Sequence, residues 1–406
     1  MINQEVDILI IGGGLTGAAL MLALKDSGYK VLLVDKQPFN AKISPDFDAR
    51  SLALSMTSQR ILAMLNVWEN MAEYACPIEH IHVSEQRRFG SARLKPDGQA
   101  PFGFVLEIQH LHAALNQHLN PAQLLAPAEV SALDCQSQTA MIDANGKTIA
   151  VKAGLIIAAD GADSKIRQLC HLPKEEKKYQ KLALVTNIGL AKPHRQRAFE
   201  RFTEYGPLAL LPMTGQRAAM VWSLPPKKAK AMQKVSDAQF LEQLQRMFGY
   251  RLGRFIKAGN RSLYPLRQVV MPVQSAWPVV FIGNAAHTLH PVAGQGFNLG
   301  LRDVALLAQY ISQQGLSPAM VNHYEKARLF DQKVITGLTD GLVQLFSLSH
   351  LGWARGMGLF MFDNLPSMQK MLAQVASGFA GTTPDLACNI PITNPDSVED
   401  SHETGF

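Results

Sequence analysis

Three groups of residues have a spacing that chemistry could use. The first is Gly12-Gly13-Gly14-Leu15-Thr16-Gly17, a G-x-G-x-x-G run directly after the apolar stretch Val6 to Ile11 and before a helix expected over Ala18 to Lys25. Gly12 permits a tight turn, Gly14 lets backbone approach a pyrophosphate, and Gly17 lets helix and strand pack closely. A second apolar strand, Lys30 to Val34, ends in Asp35, whose carboxylate can accept hydrogen bonds from both hydroxyls of a ribose. The N-terminus of the helix offers unpaired N–H groups and the positive end of its dipole to the phosphates. Strand, turn, helix, second strand and terminal acid in this order read as a dinucleotide-binding unit.

The second group is Asp160-Gly161-Ala162-Asp163-Ser164-Lys165-Ile166-Arg167, again at the end of an apolar strand. Alone it reads as a surface turn with a helix N-cap at Ser164 or Asp163. The third is Gly283-Asn284-Ala285-Ala286-His287, continuing through Pro291 to Gly294-Gln295-Gly296-Phe297-Asn298-Leu299-Gly300 and Asp303. A glycine-rich loop that opens a helix presents N–H groups to an anion, so alone it reads as another phosphate turn. His287 and His290 stand three apart on a loop without a third ligand. That favours hydrogen-bonded structural histidines over metal ligands or bases.

The elements that must hold these turns are short. Val6 to Ile11, Leu155 to Ala159 and Val279 to Ile282 are too short for helices, rich in Val, Ile or Leu, and each is followed by a glycine turn. They fit buried strands of a parallel sheet whose carboxyl ends face a ligand. Because they lie far apart in the chain, the nucleotide domain must be discontinuous, expected over 1–76, 105–180 and 268–345. Segments 77–104 and 181–267 alternate like strands, for example Phe199 to Pro212 and Ala218 to Pro225, and are assigned to an inserted sheet domain roofing a pocket. After Gly300 helical spacing takes over at Leu299, Val304, Leu307 and Ile311. A C-terminal helical segment is expected over 346–380, then a flexible acidic tail over 381–406. The fold class expected is α/β: a Rossmann-like domain with a parallel sheet, an inserted mixed β-sheet domain, and C-terminal helices.

Composition excludes several other classes. The chain has 406 residues, 47% of them hydrophobic and 18% charged, against roughly 25% charged in typical domains, so it can bury a large core. The net charge is +6, and without the five acids of 381–406 residues 1–380 carry +11. The basic residues form no long run with interleaved aromatics, which disfavours nucleic acid and leaves phosphates or an anionic membrane surface. Four scattered cysteines, Cys76, Cys135, Cys170 and Cys388, suggest neither a disulfide framework nor a zinc site and suit a reducing cytoplasm. Glu5, Asp7 and the glycines interrupt the apolar N-terminal run, so neither an export signal nor a membrane span is expected.

Together the three motifs, in this order, resemble the FAD-dependent aromatic hydroxylases of the p-hydroxybenzoate hydroxylase type, over the chain to about residue 345. The resemblance implies that Gly12, Gly14, Gly17 and Asp35 hold the ADP half of FAD. It implies that Arg50, in Asp48-Ala49-Arg50-Ser51, reaches the FAD phosphates, the alternative being an ordinary surface arginine. Asp160 would serve FAD and the nicotinamide donor. Gly283 and Asn284 would meet the ribityl chain, with asparagine standing where the family has aspartate. Asparagine still accepts a hydrogen bond but brings no charge. The loop Pro291, Gly294, Gln295, Gly296, with Asn298 in the helix it opens, would stabilise negative charge on the flavin through its N–H groups.

Within the family, Ala198 to Thr203, Gly206 to Met213 and Gly283 to Arg302 look like the members that hydroxylate 2-polyprenyl-6-methoxyphenol in ubiquinone biosynthesis. Sister enzymes share the Gly-Pro-Leu-Ala core, so the ring position stays open. The implied chemistry is reduction of FAD by NAD(P)H, which visits without a domain of its own, then reaction with O2 to a C4a-hydroperoxide and oxygen transfer to a prenylated phenol. The cofactor carries this chemistry, and the protein supplies a dry pocket. Phe202, Leu210, Pro212 and Trp222 are candidates for the pocket wall, with core packing the equal alternative. The apolar stretch Leu351 to Phe362 offers a peripheral membrane contact or a contact with partners in a biosynthetic complex, the alternative being a helix packed on the core. A hydroxylase of small aromatic acids and a non-catalytic flavoprotein subunit are the other readings.

Overall fold

The structure, a computed structural model, describes residues 4–39, 47, 49–88, 91–96, 98, 100–288, 295–347, 377–378 and 383–392, with backbone alone at 295 and 334–347. Among these residues the strands form three sheets.

The first sheet brings the separated apolar runs side by side. Its order is β18 (Ser275–Ala276), β19 (Val279–Phe281), β11 (Lys147–Ala158), β1 (Gln4–Ile11), β2 (Val31–Val34) and β8 (Leu124–Leu125), extended by β10 (Thr139–Ala144) and β9 (Ala128–Asp134). The β19–β11–β1–β2–β8 pairings are all parallel, with Ile11 opposite both Ala158 and Val34. Five carboxyl ends therefore finish at one edge. The β1 run is almost uninterruptedly apolar because both faces of the sheet are covered. Ile8 and Ile10 enter one core with α1 (Leu15–Ala23) and α3 (Ile108–His118), whereas Leu9 and Ile11 enter the other. The helix α1 starts at Leu15, three residues before the expected start, and β11 runs longer than Leu155 to Ala159 because its first half pairs antiparallel with β10.

The second sheet runs β20 (His287–Thr288), β17 (Ser262–Val270), β12 (Glu175–Leu190), β15 (Arg217–Leu224), β14 (Pro207–Met213), β13 (Arg197–Phe202), β5 (His80–Glu85) and β6 (Ser91–Leu94), with β16 (Phe255–Ala258) beside β12. One face is covered by α5 (Pro226–Lys234) and α6 (Asp237–Phe248), which bury Leu184, Leu208, Leu210, Met220 and Trp222 beneath them. The α6 helix starts in a capping box between Ser236 and Gln239 and turns Phe240, Leu244 and Phe248 inward, four residues apart. The opposite face carries Ala198, Leu211, Met213 and Ala219, which pack on Ala53 and Val105 of the third sheet, β3 (Ser51–Ser55), β7 (Gly103–Glu107) and β4 (Cys76–Pro77).

Two long helices, α7 (Gln295–Gln314) and α8 (Pro318–Ser347), follow the sheets, and α7 packs on α1 and on α2 (Met56–Met64). Residues 383–392 depart from the expected flexible tail. Leu386 and Ala387 are buried in the main core, and Arg60 of α2 reaches the Ala387 carbonyl. Leu386 and Ala387, with Ile392 packed against the same core, dock this stretch. The segment Leu351 to Phe362 and the last residues from 393 lie outside the described residues.

Candidate active site

The glycine turn has the geometry its spacing predicts. Gly12 has φ +107°, and a Cβ there would stand 2.5 Å from the Ala159 carbonyl oxygen. A Cβ on Gly17 would run into the Gly12 carbonyl, so strand and helix are as close as two backbones can be. Gly14, the exposed N-cap of α1, has nothing within 4 Å of a Cβ, no side-chain cap and no acid in the first turn. The first-turn N–H groups therefore open on free space, an anion cradle. Asp35 closes its side: one carboxylate oxygen accepts from the Gly13 N–H at 2.5 Å, the other from Gln37 at 2.6 Å. The second pair of lone-pair positions on these oxygens stays available.

Asp160 stands at the carboxyl end of β11. Its Oδ2 accepts from the N–H groups of Lys165 and Ile166 at 2.8 and 3.2 Å and so caps α4 (Lys165–Leu169), while its covered Oδ1 has no partner. Ser164 is the N-cap expected, accepting from Arg167 N–H at 3.0 Å. Arg167 had no role assigned from sequence. It is buried, donating to the Ala285 carbonyl at 3.1 Å and to the Ala162 carbonyl at 2.9 Å, and so ties the second turn to the third.

At the third turn Gly283 has φ +57°, and a Cβ there would meet Thr16 Oγ1 at 2.9 Å; one on Gly300 would meet the same oxygen at 3.1 Å. Thr16 of the first motif thus wedges between the third turn and α7. The side chain of Asn284 is exposed at the turn. Asp303, in α7, organises the turn from below. Its Oδ2 accepts from Gly283 N–H at 2.8 Å and lies 2.6 Å from His287 Nε2, and its Oδ1 accepts from Arg328 Nε at 2.7 Å. Arg328 and Arg302 both donate to Asp331. All these groups are buried. Burial pushes the Asp303 carboxyl up, but His287, Arg328 and the Gly283 N–H outweigh it and hold the pKa at about 2. His287 is a hydrogen-bonded structural residue, as its spacing suggested; His290 lies outside the described residues.

Asn298 is committed to the scaffold. Its Oδ1 accepts from Ser55 N–H and Ser58 Oγ, at 2.9 and 2.7 Å, and its Nδ2 donates to the Ala53 carbonyl at 2.9 Å. The amide pins the start of α7 to β3 and α2. Gly296, with nothing within 4 Å of a Cβ, leaves the start of α7 open; Pro291, Gly294 and the Gln295 side chain lie outside the described residues. Arg50 is exposed, its guanidinium 5.2 Å from the centre of the Tyr264 ring, and Asn187 of β12 holds the Phe47 and Ala49 carbonyls beside it.

The expected pocket wall is largely corrected. Leu210 and Trp222 are fully buried beneath α5 and α6, and Pro212, in register with Ala218, shares that side. These three are core. Phe202 stands on the opposite face, in line with Ala198, and beside it Glu200 places a carboxyl whose Oε1 is covered and without a partner. Burial pushes that carboxyl up to about 8. Glu200 was visible only as part of a family-like segment, with nothing in its spacing to mark it.

The FAD binding domain family matches residues 5–333 of the chain. The ubiquinone hydroxylase UbiL of Rhodospirillum rubrum is 32% identical over 93% of this chain and 90% of that protein. The 3-demethoxyubiquinol 3-hydroxylase of Escherichia coli is 29% identical over 93% of this chain and its whole length. Among solved structures, p-nitrophenol 4-monooxygenase PnpA from Pseudomonas putida superposes with a TM-score of 0.73 over 93% of this chain and 99% of that one, at 17% identity. The three turns fit FAD: two glycines that tolerate no side chain, an open helix N-terminus and an unpartnered carboxylate oxygen beside it. The chain belongs to the FAD binding domain family and is an FAD-dependent monooxygenase, an oxidoreductase.

Proposed function

We propose that the protein hydroxylates the aromatic ring of a polyprenylated phenol, 2-polyprenyl-6-methoxyphenol, in ubiquinone biosynthesis. The observation that carries the reading is the whole-length similarity to ubiquinone hydroxylases, on a fold that gathers three ligand turns at one sheet edge. FAD, when bound, supplies the oxygen-transfer chemistry, with NAD(P)H as electron donor and O2 as oxygen source.

The residues of this chain bind and orient. The N-terminus of α1, with Gly12, Gly14 and Gly17, takes the pyrophosphate, and Asp35 takes the ribose. Arg50 leaves the Tyr264 ring to reach the phosphates, as a guanidinium can. Asp160 offers its free Oδ1, and Gly283 with Asn284 meets the ribityl chain. Gly296 and the start of α7, which Asn298 pins to β3 and α2, would offer backbone N–H groups to the ring system, with Pro291, Gly294 and Gln295 leading into them. Segments 1–76, 105–180 and 268–345 hold the cofactor, and 77–104 with 181–267 roofs the substrate.

A neutral phenol suits the roof better than an aromatic acid. Arg217, which shares a face with Ala219, is taken by Glu107 at 2.8 Å, and Glu200 adds an acid there. A carboxylate substrate would meet no free cation at these positions. No helix among the described residues is long and apolar enough to cross a membrane, and a prenyl tail calls for a peripheral contact, for which Leu351 to Phe362 is the candidate. Mass analysis of the quinone precursor accumulating in a strain lacking the protein tests the reading: an unhydroxylated methoxyphenol is expected, and an unchanged quinone pool would refute it.

A further inference from the structure

Glu200 sits in the middle of β13, between Val83 of β5 and Ala209 of β14 in register. Side chains alternate along a strand, and the neighbours fix which way this one points. Phe199 and Arg201 face α6, Phe199 in the helix-covered core and Arg201 through its bond to the Met247 carbonyl. Ala198 packs toward the third sheet, so Glu200 shares its side. That is the side of β3, whose Ala53 carbonyl is held by Asn298 at the start of α7. The carboxyl therefore lies on the face of the roof sheet that packs on the third sheet, which Asn298 ties to the start of α7.

Among the described residues Oε1 has no hydrogen-bond partner. Ala209 and Val83 are too short and apolar to reach it, and Oε1 is covered without a partner. Other charged groups do not serve it. His82, Arg93, Arg201 and Arg251 lie together on the helix-covered side. Arg217 is held by Glu107, Lys181 lies beside Gly206 and Ser223, and Glu85 stands at the strand end opposite Phe202. A covered carboxylate oxygen without a partner is costly to a fold and points to a ligand that completes it.

We propose that Glu200 binds the hydroxyl of the phenolic substrate and accepts its proton at Oε1 as the ring is attacked. This rests on the phenol-hydroxylase reading above. The phenolic O–H bond breaks and an O–H bond forms on Oε1, while the electron pair stays on the phenolic oxygen and enriches the ring. The ring then loses the hydrogen of the attacked carbon to water, and the proton returns from Oε1 to the phenolic oxygen, restoring the carboxylate. With the carboxyl held near 8, the carboxylate that accepts the proton grows in as the pH rises toward 8.

The test uses full-length, FAD-loaded protein with 2-methoxy-6-prenylphenol and its O-methyl ether, binding being read from the flavin absorbance change. Wild type prefers the phenol by on the order of tenfold, and Glu200→Ala and Glu200→Met lose the preference. Glu200→Gln keeps part of it but slows oxygen insertion by about 100-fold or more and loses the rise in kcat/KM toward pH 8. The cofactor-free Glu200→Met protein has a raised Tm, since an unpaired acid has been replaced by an apolar chain; a structural glutamate would show the reverse. Unchanged phenol preference in Glu200→Ala, or an unchanged pH limb in Glu200→Gln, overturns the proposal alone. Wild type that binds neither probe refutes the phenol reading and this proposal with it.

Discussion

Asp303 shows how one carboxylate can decide the shape of a cofactor turn without touching the cofactor. It bonds Gly283, His287 and Arg328 at once, so Asp303→Asn leaves two buried guanidiniums, Arg302 and Arg328, sharing the one carboxylate of Asp331. We expect a loss of about 3–5 kcal/mol in denaturant unfolding. The pH dependence follows from its pKa, held at about 2 against an ordinary 3.8. The unfolded chain binds the proton more readily, so this stabilisation is complete above about pH 3.8 and disappears as the pH falls through about 2. The variant should therefore show a flatter acid limb over that interval, and an identical limb would contradict the assignment. Gly12, Gly14 and Gly17 were legible in the sequence because their requirement is local. Arg167 and Asp303 stood in the second and third motifs without a role, since Arg167 acts on a turn 118 residues away and Asp303 on one 20 residues back, and only the fold brings them there.

At the scale of elements, β1, α1 and β2 form a unit in which different glycines do different work. Gly17→Ala drives a methyl group into the Gly12 carbonyl and should cripple folding, leaving little soluble protein. Gly14→Ala meets open space at φ −65°, so cofactor-free stability should change by no more than about 1 kcal/mol. FAD affinity should nevertheless fall, because the methyl occupies the approach to the first-turn N–H groups; equal loss in both variants, measured by circular dichroism and flavin titration, would contradict this division. The parallel strands were readable as short apolar runs before glycine. The misplacement of Leu210, Pro212 and Trp222 has a different cause. Alternation says which residues of a strand share a face, but α5 and α6, later in the chain, decide which face becomes core.

Over the whole molecule, the core reaches further toward the C-terminus than acidity and proline content suggest. Leu386 and Ala387 close the main core beside α2 and α7. Leu386→Ala should cost about 2–5 kcal/mol, seen as a lowered Tm of the full chain; an unchanged Tm would mean that this stretch does not hold the fold. The low charged fraction of the chain has its explanation in two sheets with buried faces, joined through a third small sheet. The three turns gather at one edge of the first sheet, and we assign that edge to the flavin and the face of the second sheet that carries Glu200 to the phenol. The most direct test of that claim is a single turnover of the purified, FAD-loaded protein with NAD(P)H and a short-chain 2-prenyl-6-methoxyphenol under isotopically labelled O2, followed by mass analysis of the phenol. One labelled oxygen atom is expected in the ring for each NAD(P)H oxidised. A phenol recovered unchanged while NAD(P)H is consumed, or a ring oxygen without label, would contradict it.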